Sequence, residues 1–413
     1  MKKNSLINIQ KPLNEIRLRE KKNSEFLHLT INENQMSKLA HSFLNSKLSE
    51  RYYFGGGKDG IVDFVSFTFV GMPEVENLVT DAKHALMEMT GATVANIDCL
   101  SGIHAMMCAL LSTTEPGDTV MTLNQQDGGH FATKGIIERI GRKHVYASFN
   151  LDKLSFNIEE TGKIFRKSGA KALYLDVSNH LNPHNLRELR AELGTEAVII
   201  YDASHTLGLI LGGKFQNPFA EGADVICANT HKTLAGPQKG LLLFKDLKTG
   251  EKANAIVKSY LYSSVHLGSL IALAITILEW KQFGSEYAEQ VIKNSRKLGA
   301  EFDKLGYELR KSNSGEFSDN EQLHVYIDKI GDYRKLYKQL VDNNISTNVQ
   351  NVMGNRYFVR IGTQEVTRRG MKESEMRQVA QLVDSAFKGQ QIKTDVIKFT
   401  SRFPSIAYSF DNL

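Results

Sequence analysis

The stretch between residues 197 and 244 constrains the fold of this chain most strongly. It contains three short apolar runs, Ala197–Tyr201, Ala223–Cys227 and Gly240–Phe244. Polar or glycine-rich segments bound each run, and each run is too short for a typical helix, so each is predicted to be a buried strand. Strand and helix patterns alternate from residue 95 to residue 245. This alternation predicts an α/β fold with a parallel sheet that is covered on both faces.

Two residues with useful chemistry follow these strands. Asp202 comes at the end of the first run, and Lys232 comes after the second. Ligands of open α/β sheets bind at the carboxyl ends of the strands, so both side chains are expected at one edge of the sheet. A lysine can form a Schiff base with the aldehyde of pyridoxal phosphate, and a carboxylate can keep its ring nitrogen protonated. The pair therefore predicts a pyridoxal phosphate site.

The composition is that of a globular protein and excludes several other classes. The chain has 413 residues, of which 41% are hydrophobic and 23% charged, which is ordinary for a soluble protein and predicts one large and one smaller domain. The net charge of +5 is mild, so no nucleic-acid partner is expected. The most apolar helix pattern, Leu270–Leu278, is too short to span a bilayer. Because the first residues lack the apolar segment of a signal peptide, we expect a cytoplasmic protein without a membrane partner.

Two loops offer further candidate residues. Ser101 and Gly102 open an apolar helix pattern, where free backbone N–H groups can bind an anion, and a simple N-cap serine explains them equally well. His130 follows two glycines in a loop after a strand pattern. Such loops often carry function, although a lone histidine is more often structural. The residues themselves leave both pairs of alternatives open.

The glycine-rich segment Ser49–Gly60 contains a formal GxGxxG pattern. No apolar strand precedes it, so a dinucleotide-binding loop is not expected. A mobile loop that carries Tyr52 and Tyr53 towards a site fits this segment, and so does a plain surface loop.

Motifs along most of the chain resemble the serine hydroxymethyltransferase family, and they follow the family's order. They are NEN at 32–34, LSGIHA at 100–105, DGGHFAT at 127–133, DASHTLG at 202–208, NTHKTLAGPQKG at 229–240 and RIGTQEVTRRG at 360–370. The resemblance implies fold type I of the pyridoxal phosphate enzymes, with a mostly parallel seven-stranded sheet in a large domain and a smaller C-terminal α+β domain. We expect an N-terminal arm at 1–30, the large cofactor-binding domain at 31–285 and the small domain at 286–413.

The resemblance also implies a role for each matching residue. Lys232 would be the Schiff-base lysine, Asp202 would pair with the pyridinium nitrogen, and His130 would stack on the ring and handle protons. Arg360 would bind the substrate carboxylate in a bidentate manner, with Asn32 as a further substrate contact. The other residues expected at the cofactor are Ser101, Gly102, Ser178, His205, Thr230, His231 and Gly268. No metal ligand is expected among the site residues.

Family members are dimers or larger, and the resemblance implies that neighbouring subunits share the active site. Tyr52 matches a tyrosine that contacts substrate and takes part in catalysis from the neighbouring subunit. The loop around Gly268 matches a second segment that the neighbouring subunit contributes to the active site in this family. A homodimer with its active site at the subunit interface is therefore expected.

Several departures from the family pattern lie on the side of the site where folate would bind. Phe54 stands where folate-using members have a glutamate, and Phe69–Glu74 replaces a stretch with two tyrosines. Ile103 replaces a second phosphate-site serine, and Gln238 replaces a basic residue. The amino-acid side is intact. Together the motifs and departures resemble the L-threonine transaldolase branch of the family.

This branch implies a specific reaction, and several rivals stay open. A transaldolase cleaves threonine and transfers the glycyl unit to an acceptor aldehyde, which gives a β-hydroxy-α-amino acid. The rivals are a tetrahydrofolate-dependent hydroxymethyltransferase acting on serine or 2-methylserine, a simple threonine aldolase, and a non-catalytic binding protein on the same fold. No residue specifies the acceptor aldehyde.

Overall fold

The computed structural model describes residues 9–412, in which helices and strands alternate along most of the chain. The strands are β1 (Leu27–His28), β2 (Ile61–Phe64), β3 (Phe67–Val70), β4 (Val94–Asn96), β5 (Thr119–Thr122), β6 (Lys143–Tyr146), β7 (Phe149–Asn150), β8 (Ser155–Phe156), β9 (Ala170–Leu175), β10 (Val198–Asp202), β11 (Val225–Asn229), β12 (Gly240–Phe244), β13 (Gln322–Tyr326), β14 (Ile345–Ser346), β15 (Asn348–Gln350) and β16 (Phe358–Gly362).

The α-helices separate these strands and cover the sheets. They are α1 (Gln10–Asn23), α2 (Lys38–Ser42), α3 (Pro73–Thr90), α4 (Gly102–Thr113), α5 (Thr133–Arg139), α6 (Ile158–Ser168), α7 (Leu186–Leu193), α8 (Leu207–Leu211), α9 (Pro218–Glu221), α10 (Leu247–Ile256), α11 (Leu267–Lys304), α12 (Tyr333–Asp342), α13 (Gln364–Arg368), α14 (Glu373–Phe387) and α15 (Lys393–Thr400).

A seven-stranded sheet organises the larger part of the chain. Its strand order is β4-β12-β11-β10-β9-β5-β6. Strand β12 runs antiparallel to β11 and β4, and the other neighbouring strands pair in parallel. Helices on both faces bury side chains such as Ile199, Ile200 and Ile226 completely, which explains why the strands read as continuous apolar runs. The predicted α/β fold with a mostly parallel seven-stranded sheet is confirmed.

The C-terminal part contains a second, smaller sheet. Strands β13, β16 and β15 form an antiparallel sheet in that order. Leu323 and Val359 of this sheet share an apolar core with Val379 and Val383 of α14. This arrangement is the smaller α+β unit that the sequence predicts.

Helix α11 connects the two cores. Side chains such as Leu270 and Val291 belong to the core of the large sheet, whereas Leu298 and Phe302 belong to the second core. The expected domain boundary at residue 285 therefore falls inside one continuous helix, and the division stays a prediction. Although α11 is long, no helix within residues 9–412 combines the length and the apolar character that crossing a membrane requires.

The predicted N-terminal arm lies partly outside the described residues, which begin at residue 9. Its described part contains helix α1, which has no buried residue. It is followed by β1, which pairs in parallel with β14 of the C-terminal part.

Candidate active site

A cavity of about 240 Å³ lies where strands β9, β10 and β11 reach their carboxyl ends. The predicted site residues that line it are Ser101, Gly102, His130, Ser178, Asp202, His205, His231 and Lys232. These residues come from segments that are far apart in the sequence. The parallel strands bring them together because their carboxyl ends share one edge of the sheet.

Lys232 follows β11 and contacts a histidine at the cavity. Its Nζ lies 3.0 Å from Nε2 of His205. Burial lowers the pKa of Lys232 to about 8, and burial together with the charge of Lys232 places the pKa of His205 well below its ordinary value. The His205 ring is therefore neutral, and a lysine ammonium can donate to its unprotonated Nε2. The amine is held in place and is easier to deprotonate than an exposed lysine.

Asp202 is the last residue of β10, and two hydrogen bonds fix its carboxylate. The Tyr174 hydroxyl donates to Oδ2 over 2.7 Å, and the backbone N–H of Ser204 donates to Oδ1 over 2.9 Å. Tyr174 is completely buried, so its hydroxyl presents a fixed donor. A carboxylate oriented in this way can accept a hydrogen bond from a protonated ring nitrogen in the cavity.

His130 lies in a loop whose shape depends on the two preceding glycines. Gly128 has φ +101°, a left-handed conformation that favours glycine. A Cβ on Gly129 would lie only 2.4 Å from the carbonyl oxygen of Leu123. The predicted residue Ser178 ties this loop to the strand edge, because its hydroxyl donates to Gly128 O over 3.0 Å.

The ring of His130 has a defined hydrogen-bond partner. The backbone N–H of Ala132 donates to Nδ1 over 3.3 Å, and burial lowers the pKa of His130. In the neutral ring the proton therefore sits on Nε2. The ring is positioned to donate from Nε2 to an oxygen atom in the cavity.

Asp176 is a cavity residue that the sequence analysis missed. Its Oδ2 accepts the backbone N–H of His130 over 3.2 Å, and its Oδ1 accepts that of Leu123 over 3.4 Å. Burial raises the pKa of Asp176 to about 7. Asp176 directly follows β9, just as Asp202 ends β10. An acidic residue at the end of a strand pattern was therefore the sequence feature that could have identified it.

The start of α4 forms one wall of the cavity. Ser101 is the N-cap, and its Oγ accepts the N–H of His104 over 3.1 Å. The first N–H groups of a helix have no partner within the helix, so they can bind an anion. Gly102 packs closely against Asn229, because a Cβ added to Gly102 would lie 2.8 Å from the Cβ of Asn229. The N-cap interpretation is confirmed, and it is compatible with an anion site.

His231 adds a polar atom to the same cavity. Its Nδ1 is buried and has no hydrogen-bond partner among the described residues. Burial lowers the pKa of His231 to about 4, so the ring is neutral at physiological pH. The unpaired nitrogen carries a desolvation cost that a bound polar group would remove.

Arg360 lies on β16 and is 4% exposed. Its four hydrogen bonds all end on uncharged oxygens: Asn348 Oδ1 (3.1 Å), Ser178 O (3.3 Å), Asn179 Oδ1 (2.6 Å) and the predicted partner Asn32 Oδ1 (3.4 Å). A buried guanidinium gains most from an anion, because neutral acceptors compensate its charge only in part. Asn179 and Asn348 are further residues that the sequence analysis missed.

Besides Asn32 and Arg360, three predicted residues do not line this cavity of their own chain. Thr230 is buried, and its hydroxyl donates to Pro237 O over 2.5 Å. Tyr52 is 56% exposed. Gly268 was expected in a loop, but it is the second residue of α11. A Cβ added at this position would lie 2.0 Å from Ser49 Oγ. The loop assignment is corrected, and the roles of all three residues stay predictions.

Tyr53, the second tyrosine of the glycine-rich segment, does not reach the cavity either. It is buried, and its hydroxyl donates to Glu76 Oε2 over 2.6 Å.

Comparison with known proteins places these features in a family. Residues 8–383 match the serine hydroxymethyltransferase family. The chain belongs to this family. Serine hydroxymethyltransferase-family enzymes are pyridoxal-phosphate-dependent transferases, so the chain is an enzyme of this kind with fold type I.

Two curated relatives illustrate the range of activities within the family. The chain is 33% identical over 399 residues to fluorothreonine transaldolase of Streptantibioticus cattleyicolor, covering 95% of this chain and 62% of that protein. It is 32% identical over 399 residues to serine hydroxymethyltransferase of Archaeoglobus fulgidus, covering 93% of this chain and 86% of that protein. Identity alone therefore does not separate the two activities.

A solved structure shows the same architecture. The crystal structure of L-threonine transaldolase from Pseudomonas fluorescens, in its internal aldimine state, superimposes with a TM-score of 0.89 at 26% sequence identity. The match covers 98% of this chain and 94% of that chain.

The residues at the cavity fit pyridoxal phosphate. The amine of Lys232, the oriented carboxylate of Asp202 and the start of α4 match the aldehyde, the ring nitrogen and the phosphate of the cofactor in chemical type. The unpaired Nδ1 of His231 lies in the same cavity wall.

Proposed function

We propose that this enzyme is an L-threonine transaldolase. In the overall reaction, L-threonine and an acceptor aldehyde give a new β-hydroxy-α-amino acid and acetaldehyde. The Cα–Cβ bond of threonine breaks, and a new bond forms between the same Cα and the carbonyl carbon of the acceptor. The two substrates and two products balance without an external oxidant or reductant.

Pyridoxal phosphate would be held by residues around the cavity. Lys232 would bind the aldehyde carbon, Asp202 would accept a hydrogen bond from the ring nitrogen, and His130 would cover the ring face. Ser101, Gly102 and His231 would bind the phosphate, with His205 and Ser178 close to the ring. When bound, the cofactor withdraws electrons from the Cα of an amino acid.

The protein's own residues would bind threonine and manage its hydroxyl proton. Arg360 would bind the α-carboxylate through its guanidinium, whose present acceptors are uncharged. The acceptor of the β-hydroxyl proton would be His130 or a water that it holds. Because Ala132 donates to Nδ1, Nε2–H of His130 would orient such a water, and the water would pass the proton on to solvent.

The observation that carries the transaldolase proposal is the aromatic cluster around Phe54. The Phe54 ring stacks on Phe64 at 4.6 Å between centroids and packs against Phe69 at 4.3 Å. These side chains provide no proton donor where folate-using relatives are expected to have a glutamate. Without an acid at position 54, Cα of the glycyl unit would lack one source of a proton, which would favour its bond to a second aldehyde.

We also propose that the working enzyme is a homodimer with its active site at the subunit interface. Tyr52 is 56% exposed and does not line the cavity described above, which suits a residue contributed to a neighbouring subunit. The β2–β3 hairpin exposes apolar side chains, among them Phe67 at 62% and Val70 at 77%. Such a patch is typical of a protein–protein interface.

The test is a two-substrate reaction with the cofactor-loaded enzyme, L-threonine and an aromatic aldehyde. Mass spectrometry should detect an aromatic β-hydroxy-α-amino acid and an equal amount of acetaldehyde, and the Lys232→Ala variant should form neither. Acetaldehyde and glycine without the new amino acid would instead indicate a simple threonine aldolase.

The second candidate is a hydroxymethyltransferase, because serine hydroxymethyltransferases are among the relatives of comparable identity. Serine cleavage that depends on added tetrahydrofolate would support this candidate against the transaldolase.

A further inference from the structure

A polar cluster lies outside the cavity, between β1 and α13. It consists of His28 at the end of β1, Glu33 in the following segment and Glu365 in α13. One ligand atom from each side chain lies within 4.8 Å of the others. His28 and Glu365 are 7% and 4% exposed, whereas the Glu33 side chain is 57% exposed. Two buried ligand groups and one that can move therefore share a small volume.

The tautomer of His28 is fixed by its surroundings. Its Nε2 lies 3.0 Å from the carbonyl oxygen of Asn23, which can only accept, so Nε2 carries the proton. The lone pair of the neutral ring is then on Nδ1. This atom is buried and has no hydrogen-bond partner among the described residues. Metal-binding histidines commonly have this arrangement, in which the other ring nitrogen donates to a carbonyl.

The carboxylates of Glu33 and Glu365 face the free nitrogen and one another. Glu33 Oε2 lies 3.9 Å from His28 Nδ1, which is too far for a hydrogen bond. A cation among these three groups would pair with both carboxylates and with the free nitrogen.

We propose that His28 Nδ1, Glu33 and Glu365 bind a divalent transition-metal cation of the Mn²⁺ or Zn²⁺ type. One imidazole with two carboxylates suits such ions better than Ca²⁺ or Mg²⁺, which prefer sites made of oxygen alone. Two donor atoms on one ion are roughly 3.0–3.5 Å apart at metal–ligand distances of about 2.1 Å. The exposed Glu33 side chain can move to close the remaining gap, and water would complete the coordination.

An ion bound at this cluster would also affect the active site, because the residues on either side of Glu33 contact active-site residues. Asn32, the preceding residue, accepts from Arg360 over 3.4 Å, and Asn34, the following residue, donates to Lys232 O over 2.8 Å. A cation that holds Glu33 against His28 and Glu365 would fix both asparagines. The ion would therefore hold residues 29–36 in one conformation, which we call its clamping role.

A second group of possible ligands, Cys99, His104 and Cys108, also lies within residues 9–412. Its histidine is not available, because the Leu100 N–H donates to Nδ1 of His104 over 2.9 Å. The proton of the neutral ring is then on Nε2, and neither nitrogen has a lone pair free for a metal. Its thiols could still capture Zn²⁺, so Mn²⁺, which prefers oxygen and nitrogen ligands, is the better probe.

The test is a titration of the cofactor-loaded enzyme with Mn²⁺, followed by electron paramagnetic resonance of the free ion. We expect one bound Mn²⁺ per chain and at least tenfold weaker binding by Glu33→Gln, which folds normally because Glu33 is largely exposed. Glu365→Gln should weaken binding similarly, and Glu20→Gln, on the exposed face of α1, should bind like the wild type. Absence of binding at millimolar Mn²⁺, or undiminished binding by Glu33→Gln, would overturn the site.

Hydrogen exchange of the wild type tests the clamp. Saturating Mn²⁺ should slow exchange of the amides in 29–36, and the Glu33→Gln variant should show no such slowing. Exchange in this segment that Mn²⁺ leaves unchanged in the wild type would overturn the clamping role.

Discussion

The Nζ of Lys232 lies 3.0 Å from Nε2 of His205, and Nδ1 of the same ring lies 3.8 Å from Oε1 of Glu321. Burial lowers the pKa of Lys232 to about 8 and raises that of Glu321 to about 7. A lysine is nucleophilic only when neutral. This chain of three groups therefore gives the enzyme an amine that is partly neutral near physiological pH.

The first prediction concerns attachment of the cofactor to the apoenzyme. The fraction of neutral Lys232 rises as the pH rises through about 8, so the attachment rate should increase up to that pH and then level off. Stopped-flow absorbance after addition of pyridoxal phosphate measures this rate. A rate that still rises steeply towards pH 10 would show that the lysine has an ordinary pKa.

The second prediction concerns Arg360. Lysine cannot reproduce the planar guanidinium and its bidentate hydrogen bonds, so Arg360→Lys should raise the KM for threonine roughly 100-fold, with a smaller change in kcat. Steady-state kinetics with a fixed acceptor aldehyde provide the measurement. The control is Arg356→Lys, which alters a cation paired with Glu308 and Asp328. An equal effect in both variants would contradict the role of Arg360.

The third prediction concerns stability and pH. The pKa of buried Glu321 is raised to about 7 from an ordinary value of 4.5, so the folded state favours the protonated carboxyl. The protonated carboxyl therefore stabilises the folded state below pH 4.5, and this stabilisation is lost as the pH rises to about 7. The loss corresponds to roughly 3 kcal/mol of the free energy of unfolding. Glu321→Gln should remove this loss, whereas the exposed Glu316→Gln should not. Urea denaturation at pH 4.5 and pH 8 measures the difference, and parallel curves for wild type and Glu321→Gln would disprove it.

The fourth prediction concerns Phe54. Phe54→Glu places an acid where the aromatic cluster has none, and a positioned acid typically accelerates protonation by 10² or more. The ratio of new β-hydroxy amino acid to glycine should therefore fall at least tenfold, as chromatography of the products can show. Ile330→Glu adds a charge at an exposed apolar side chain outside this hairpin and should leave the ratio unchanged. A ratio unaffected by Phe54→Glu would remove the main support for the transaldolase proposal.

Much of the fold could be predicted because the apolar runs of the central sheet are interrupted by clear breakers. Strand β12 begins and ends where the sequence indicates, and β10 differs by one residue at each end. Asp202 and Lys232 could be placed at one edge because parallel strands end together. Their proximity in the structure agrees with that argument, while their chemical roles stay predictions.

The remaining features depend on contacts between distant parts of the chain. The acceptors of Arg360 include Asn179, and no local pattern links these two residues. Gly268 was expected in a loop because the family resemblance implied one there, but it lies in α11, where the close approach of Ser49 and Phe43 leaves no room for a side chain. Tertiary packing decides both features.

The central claim is that Lys232 holds pyridoxal phosphate, and reduction with borohydride tests it most directly. Reduction makes the bond between lysine and cofactor permanent, and peptide mapping by mass spectrometry then locates it. The nearby Lys239 is an internal control, because it is also buried and has its pKa lowered to about 8. We predict the label on Lys232 alone. A label on Lys239, on another lysine or on none would contradict the account.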